Sequence, residues 1–180
     1  MSKKVLIIST SPRKNSNSDI LADEFAKGAT EASAEVEKIN LSQKSISFCR
    51  GCLACQKTKR CVIRDDAEAI IEKMRNSDVI LFATPVYFYE MCGQMKTLLD
   101  RTNPIFASDY KFRDIYLIAC AADSDKNAIN GAVNGLGGWI ACFDKASLKA
   151  SLAGVGVCDA GEVSKQKSLL RKAYEKGKSI

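Results

Sequence analysis

The chain has 180 residues, 46% hydrophobic and 27% charged, proportions that exclude disordered, collagenous and coiled-coil classes and set one domain, residues 1–180, as the expectation. The net charge of +6 is spread along the chain without a basic-aromatic or recognition-helix motif, so no nucleic-acid partner is expected. The absence of histidine excludes Ser-His-Asp triads, Cys-His dyads and His-ligated zinc, haem or non-haem iron.

Residues 4–10 form a β-rich apolar run closed by a polar turn with Pro12, the start of a buried parallel strand. Ser16, Asn17 and Ser18 offer capping oxygens to a helix whose Leu21, Phe25, Ala29 and Ala32 recur at helical spacing. Residues 35–41 read as a second strand, and 42–64 as a cysteine-bearing loop. Asp65 with Glu68 resembles a capping box that opens a helix through Ile70, Ile71 and Met74. The third strand, 78–83, leads through 84–89 into a helix with Met91, Met95, Leu98, Leu99 and Thr102 on one face. Residues 114–120 read as the fourth strand. Residues 127–142 read as a helix that Gly131, Gly135, Gly137 and Gly138 weaken by about 1 kcal/mol each. A fifth strand over 148–157 and a last helix over 163–174, ended by Gly177, complete the pattern. The last helix's basic face, with Lys165, Lys167, Arg171, Lys172, Lys176 and Lys178, reads as solvated. Such alternation predicts an α/β fold: a doubly wound five-stranded parallel sheet in the order 2-1-3-4-5, with helices on both faces. No apolar run reaches the roughly 18–20 residues of a membrane helix, and the basic start of the chain lacks the apolar core of a leader. A cytoplasmic protein with no membrane partner is expected.

In such sheets a ligand sits beyond the carboxyl ends of the strands where strand order reverses, here beside strands one and three. The first loop there, Ser9-Thr-Ser-Pro-Arg-Lys-Asn-Ser-Asn-Ser18, gathers hydroxyls, amides, Arg13 and Lys14 ahead of a helix N-terminus that favours an anion. It lacks the triphosphate-binding lysine loop and the glycine fingerprint of dinucleotide sites, so a monophosphate fits it best. A serine-rich turn with a good cap and no ligand is the plainer alternative. The second loop puts Tyr87, Phe88 and Tyr89 after Pro85 at the mouth of the third strand. That is a shelf for a planar ring, with core or interface packing as its alternative. Phosphate at one end and an aromatic shelf at the other describe FMN. The flavin itself then carries the chemistry, and no catalytic side chain is required.

Ser11-Pro12-Arg13 with Ser16-Asn17-Ser18, then Thr84-Pro85-Val86-Tyr87, Gln94-Met95-Lys96 and Asp100-Arg101-Thr102, resemble the NAD(P)H-dependent FMN reductase family of flavodoxin-like proteins. The resemblance implies one flavodoxin-like FMN-binding domain. It implies that Ser11, Arg13, Ser16, Asn17 and Ser18 hold the phosphate and ribityl chain. Pro85, Val86, Tyr87 and Phe88 would edge the flavin ring, and the loop carrying Ala122 and Asp123 would border it. It further implies NAD(P)H as co-substrate, a small-molecule acceptor such as a quinone, nitro or azo compound, and a homodimer or tetramer. One departure stands out: many relatives place a glycine-rich loop where this chain has Cys120-Ala-Ala-Asp-Ser-Asp125. Asp123 and Asp125 would repel a pyrophosphate or 2′-phosphate, which leaves a protein donor as an alternative.

Eight cysteines point to a reducing compartment, and four form the run Cys49-x2-Cys52-x2-Cys55-x5-Cys61. Such spacing can wrap one [4Fe–4S] cubane and resembles the iron-sulfur flavoproteins. Flavin-only relatives share similar spacing, so the sequence reading favours flavin alone. The alternative is a cluster-bearing electron carrier fed by ferredoxin. Zinc on four thiolates fits less well, because the paired C-x2-C arrangement is missing, and free thiols at a dimer interface stay open. Arg50, Lys57, Lys59, Arg60 and Arg64 surround the run and favour thiolates or an anionic partner. Cys92, Cys120, Cys142 and Cys158 read mostly as small core residues.

Overall fold

The computed structural model describes residues 2–106 and 108–180. Its elements in chain order are β1 (Lys4–Ser9), α1 (Asn17–Glu31), β2 (Glu35–Asn40), α2 (Ala54–Thr58), α3 (Ala67–Asn76), β3 (Val79–Tyr87), β4 (Glu90–Met91), α4 (Gly93–Asp100), α5 (Asn103–Phe106), β5 (Asp114–Cys120), α6 (Asn130–Ile140), β6 (Ser147–Gly154) and α7 (Lys167–Lys178). The parallel strands run β2-β1-β3-β5-β6, which is the expected order. The sixth strand, β4, pairs antiparallel with the end of β3 through Val86–Met91 and Tyr87–Glu90.

Val5 to Ile8 are all buried, as in a strand covered on both faces. Their period of two divides the core. Leu6 and Ile8 join α3, α4 and α6 on one side through Ile70, Met95 and Leu136. Val5 and Ile7 join α1 and α7 on the other through Phe25 and Ala173. No helix among the described residues is long and apolar enough to cross a membrane.

Several expectations are corrected. Gly177 does not end the last helix but lies inside α7, where a Cβ would stand 1.9 Å from the Phe25 carbonyl oxygen. At Gly28, opposite, a Cβ would stand 2.0 Å from the Tyr174 oxygen, so two glycines let α1 and α7 touch backbone to backbone. The Asp65–Glu68 capping box does not form. Asp65 instead accepts the Ala67 N–H at 3.0 Å and turns its other oxygen to Arg101 and Ser47, while Glu68 pairs with Arg64. The third strand runs on to Tyr87, so Met91 belongs to β4 and not to the following helix. The loop over 42–64 carries a helix of its own, α2.

Candidate functional site

Beyond the carboxyl ends of β1, β3 and β5 lies a cleft of about 220 Å³. Ser11, Arg13, Ser16, Asn17 and Ser18 line one end of it, Pro85, Val86 and Tyr87 the other, and Cys120 and Ala122 continue the wall beyond β5. Val157, Cys158 and Ala160 close the remaining side. The sequence reading missed this last segment because it carried the fifth strand on to Val157 and assigned no cleft role to the residues just beyond, whereas the strand ends at Gly154. Its signal was the run Gly154-Val-Gly-Val-Cys158, in which Gly156 takes φ +68° and turns the chain back toward the cleft.

Local chemistry fixes the phosphate-type end. Ser16 Oγ caps α1 by accepting the Asp19 N–H at 3.3 Å, and the Asn17 and Ser18 N–H groups ahead of it are donors that such a helix start leaves for an anion. Asn17 acts mainly on the wall: its Nδ2 donates to the Asp159 oxygen at 2.9 Å and its Oδ1 accepts the Val163 N–H at 3.0 Å. Arg13 Nη1 donates to the Cys158 oxygen at 2.9 Å, which ties the loop after β1 to the same segment. Beneath, Thr10 Oγ1 donates to the Ala83 oxygen at 3.0 Å, and the Cys92 N–H donates to Thr84 Oγ1 at 3.1 Å, so the strand ends cannot splay. Burial pushes the Cys120 thiol up to about 12, which keeps it neutral and unreactive. Hydroxyls and a guanidinium at one end, with Pro85, Val86 and Tyr87 at the other, fit the phosphate-to-ring polarity of FMN.

Two expected residues stand elsewhere. The β3–β4 turn holds Phe88 at φ +50° and Tyr89 at φ +63°, left-handed positions that usually take glycine or asparagine. Phe88 is thereby fully solvent-exposed and Tyr87 alone of the aromatic triplet lines the cleft. Asp123 does not line it either. One of its oxygens accepts the Asp125 N–H at 2.9 Å and the other accepts the Tyr89 O–H at 3.0 Å. The Asp125 N–H and then Tyr89 hold its carboxyl below the ordinary range. The turn rests on α6, where a Cβ at Gly131 would stand 2.1 Å from the Tyr89 carbonyl oxygen.

Cys49, Cys52, Cys55 and Cys61 line one small, partly open cavity of about 20 Å³ together with Arg50, Arg101 and Asn103. Helix α2, flanked by Leu53 at φ +56° and Lys59 at φ +58°, turns Cys55 inward; Cys49 and Cys52 are exposed and Cys61 is half-buried. Burial first, and then the neighbouring Cys61, Cys52 and Cys49, raise the Cys55 thiol pKa. No group of three or more ligating side chains among the described residues is gathered as a single ion would need. A four-iron cubane holds its cysteines further apart than one ion does, and an all-thiol donor set suits iron and sulfide.

Arg101 and Asp65 hold this loop. Arg101 Nη1 donates to Asp65 Oδ2 at 2.7 Å and to the Ser47 oxygen at 2.8 Å, while Nη2 donates to Asp65 Oδ1 at 3.1 Å and the Ile63 oxygen at 3.3 Å. Burial works against both charges, yet Arg101 and the Ser47 and Ala67 N–H groups keep the Asp65 carboxyl below its ordinary value.

Residues 3–143 match the NADPH-dependent FMN reductase family. The chain belongs to that family. An iron-sulfur flavoprotein of Methanocaldococcus jannaschii is 38% identical over 102 residues, covering 57% of this chain and 53% of that protein. One of Methanosarcina thermophila is 37% identical over 124 residues, covering 69% and 65%. The chain thus spans about half to two-thirds of the length of these curated relatives. Among solved structures, a NAD(P)H:quinone oxidoreductase from Methanothermobacter marburgensis superposes with a TM-score of 0.79 at 16% identity, covering 99% of this chain and 96% of that one. An azoreductase from Bacillus anthracis superposes with a TM-score of 0.73 at 14% identity, covering 100% of both chains. At such identities the likeness is one of fold.

Proposed function

We propose that this flavodoxin-like chain is an FMN-dependent oxidoreductase whose 49–61 loop carries a [4Fe–4S] cluster. The observation that carries the reading is the convergence of Cys49, Cys52, Cys55 and Cys61 on one cavity, in a chain whose phosphate loop and Tyr87 end share another. The spacing by itself suits a cubane without deciding its presence, and the resemblance to flavin-only relatives favoured flavin alone; the convergence of the four cysteines and the names of the 37–38% identical relatives shift the weight.

When bound, FMN accepts hydride from a reduced nicotinamide and a [4Fe–4S] cluster passes single electrons. Ser11, Ser16, Ser18 and the start of α1 bind the phosphate, and Arg13 adds a cation beside it. Pro85, Val86 and Tyr87 orient the ring. Arg50, Lys57, Lys59, Arg60 and Arg64 suit an acidic one-electron partner such as a ferredoxin. The exposed Phe48, Leu53, Phe88 and Phe106 offer the apolar surface that a dimer or tetramer would cover.

NAD(P)H-driven reduction of a small quinone, nitro or azo acceptor is the second reading, favoured by a specific observation. Asp123 and Asp125, whose charges argued against a nicotinamide phosphate, both stand outside the cleft lining, the first bonded to Tyr89 and the second accepting the Asn127 N–H at 2.9 Å.

Protein purified without oxygen should hold FMN, iron and acid-labile sulfide in fixed ratio, and Cys52→Ser should lose iron and sulfide together while keeping FMN. FMN without iron, even after anaerobic reconstitution, would remove the cluster from the reading. NADH or NADPH should bleach the flavin bands saturably. If neither does while dithionite does, the nicotinamide step fails and the carrier role stands.

A further inference from the structure

We propose that Arg101 positions the cysteine loop and donates its Nε–H to the sulfur of Cys61, so that its charge raises the reduction potential of the cluster. The inference rests on the cluster reading above and concerns how this chain's own residues would hold and tune that group.

Arg101 sits just past the end of α4, and its side chain is wholly buried. A guanidinium carries five N–H donors. Four are accounted for by Asp65, Ser47 and Ile63. The fifth, on Nε, is buried without an acceptor among the described residues. A buried N–H left over on a cation is costly and calls for a ligand. Arg101 borders the cavity of the four cysteines, Cys61 among them, and cubane sulfurs accept such donors.

The partners of the guanidinium also mark both stems of the loop. Ser47 lies two residues before Cys49, and Ile63 and Asp65 follow Cys61 by two and four residues. Asp65 accepts the Ser47 N–H at 2.9 Å as well, so one fork draws the two stems together. A cation fixed there stabilises the more negative, reduced cluster over the oxidised one. Asp65 offsets that effect in part, which gives the two residues opposite signs.

The test compares anaerobically reconstituted wild type, Arg101→Lys and Asp65→Asn. Arg101→Lys keeps a charge for Asp65 but has no Nε–H and no fork. Its iron should be lost to a competing chelator about 10–100-fold more readily. Its reduced-to-oxidised ratio at a fixed potential should fall about tenfold, roughly 59 mV for a one-electron couple. Asp65→Asn should move the cluster potential upward, and the FMN potential should stay in place in both. A purely structural role would lower iron content without opposite shifts in potential. Should either variant fail to fold, protein labelled with 15N on its arginine guanidinium groups and carrying Arg50→Lys, since Arg50 also borders the cavity, gives the same answer, as a 15N coupling in the pulsed EPR of the reduced cluster. Wild type that holds no iron and sulfide overturns the cluster reading and this inference with it. A cluster with unmoved potentials in the variants, or with no 15N coupling in the labelled protein, overturns the role of Arg101 alone.

Discussion

The cleft and the cysteine loop are held in place by opposite means. The cleft lies at the ends of regular elements: Ser16 caps α1, Thr10 and Thr84 bind the ends of β1 and β3 to their neighbours, and the core beneath fixes their spacing. Its geometry is inherited from the sheet, and each side chain adds only a share. The loop over 42–64 pairs with no strand of the sheet, and its stems are tied by the buried fork of Arg101 on Asp65 and, nearer the surface, by Ser45 and Asp66, each of which donates its N–H to the other. A site at strand ends is robust to single substitutions. A site on a long loop depends on the contact that closes it.

The largest effect that would separate the two is therefore expected from Arg101→Met. It leaves the Asp65 carboxylate buried without its partner, which costs about 3–5 kcal/mol. Urea unfolding should report the loss, and the loop should become sensitive to proteases before the cleft does. The acid limb gives an independent check. Asp65 is held below its ordinary pKa, so its contribution is complete above about pH 3.9 and is lost as pH falls through its lower folded value. Arg101→Met should flatten that limb. A variant as stable as wild type, with an unchanged acid limb, would mean that the loop is held by something else.

The same contrast explains what the sequence disclosed. The alternation of strands and helices, the Ser16 cap and the two loops that flank the cleft follow from periodicity and polar turns, signals that are local in the chain, while the roles of Ser11, Arg13, Asn17, Ser18, Pro85, Val86 and Tyr87 within those loops came with the family resemblance. The partner of Asp65 was not readable, because its carboxylate sits three residues before Glu68 and matches a capping box; the winning contact comes from Arg101, 36 residues away. Gly177 misled in the same way. Locally it resembles a helix stop, and only its approach to Phe25 on α1 shows why a glycine is there. Phe88 left the expected shelf because a two-residue turn to β4 extends the third strand and throws its side chain outward.

On the cleft side, Arg13→Ala should weaken FMN binding by about 1.5–3 kcal/mol, the usual worth of a charge-assisted hydrogen bond, as read by anaerobic calorimetry. Iron content should not move, since Arg13 lies on the far loop with Cys158 as its partner. An unchanged affinity would take Arg13 out of the phosphate site. Loss of iron would break the independence of the two regions.

The hairpin that carries Tyr87 offers a smaller test. Gly131→Ala would put a methyl group 2.1 Å from the Tyr89 carbonyl oxygen, a backbone atom that cannot step aside alone. An overpacking cost of about 1–3 kcal/mol is expected, with a displaced Tyr87 and weaker FMN binding. Gly135→Ala is the milder partner, because its nearest atom, at 2.8 Å, is the flexible end of Met91. Equal losses in the two variants would show that helix propensity, not the seat of the hairpin, decides their effect.

The smallest expected effect belongs to Tyr89→Phe. It removes one exposed hydrogen bond, to Asp123, and keeps the ring, so thermal stability should hardly change. What changes is a link between two walls of the cleft: the hairpin that presents Tyr87 and the loop that presents Ala122 would no longer be joined by the Tyr89–Asp123 bond. Asp123 keeps the Asp125 N–H but loses the Tyr89 donor, so its carboxyl should rise part of the way toward its ordinary value, which NMR titration can follow. If the link restrains the mouth, FMN should leave faster on dilution while the iron of the cysteine loop stays bound. An unchanged release rate together with the shifted Asp123 titration would show that the bond forms without restraining the cleft, leaving the seat of the hairpin on α6 as what positions Tyr87.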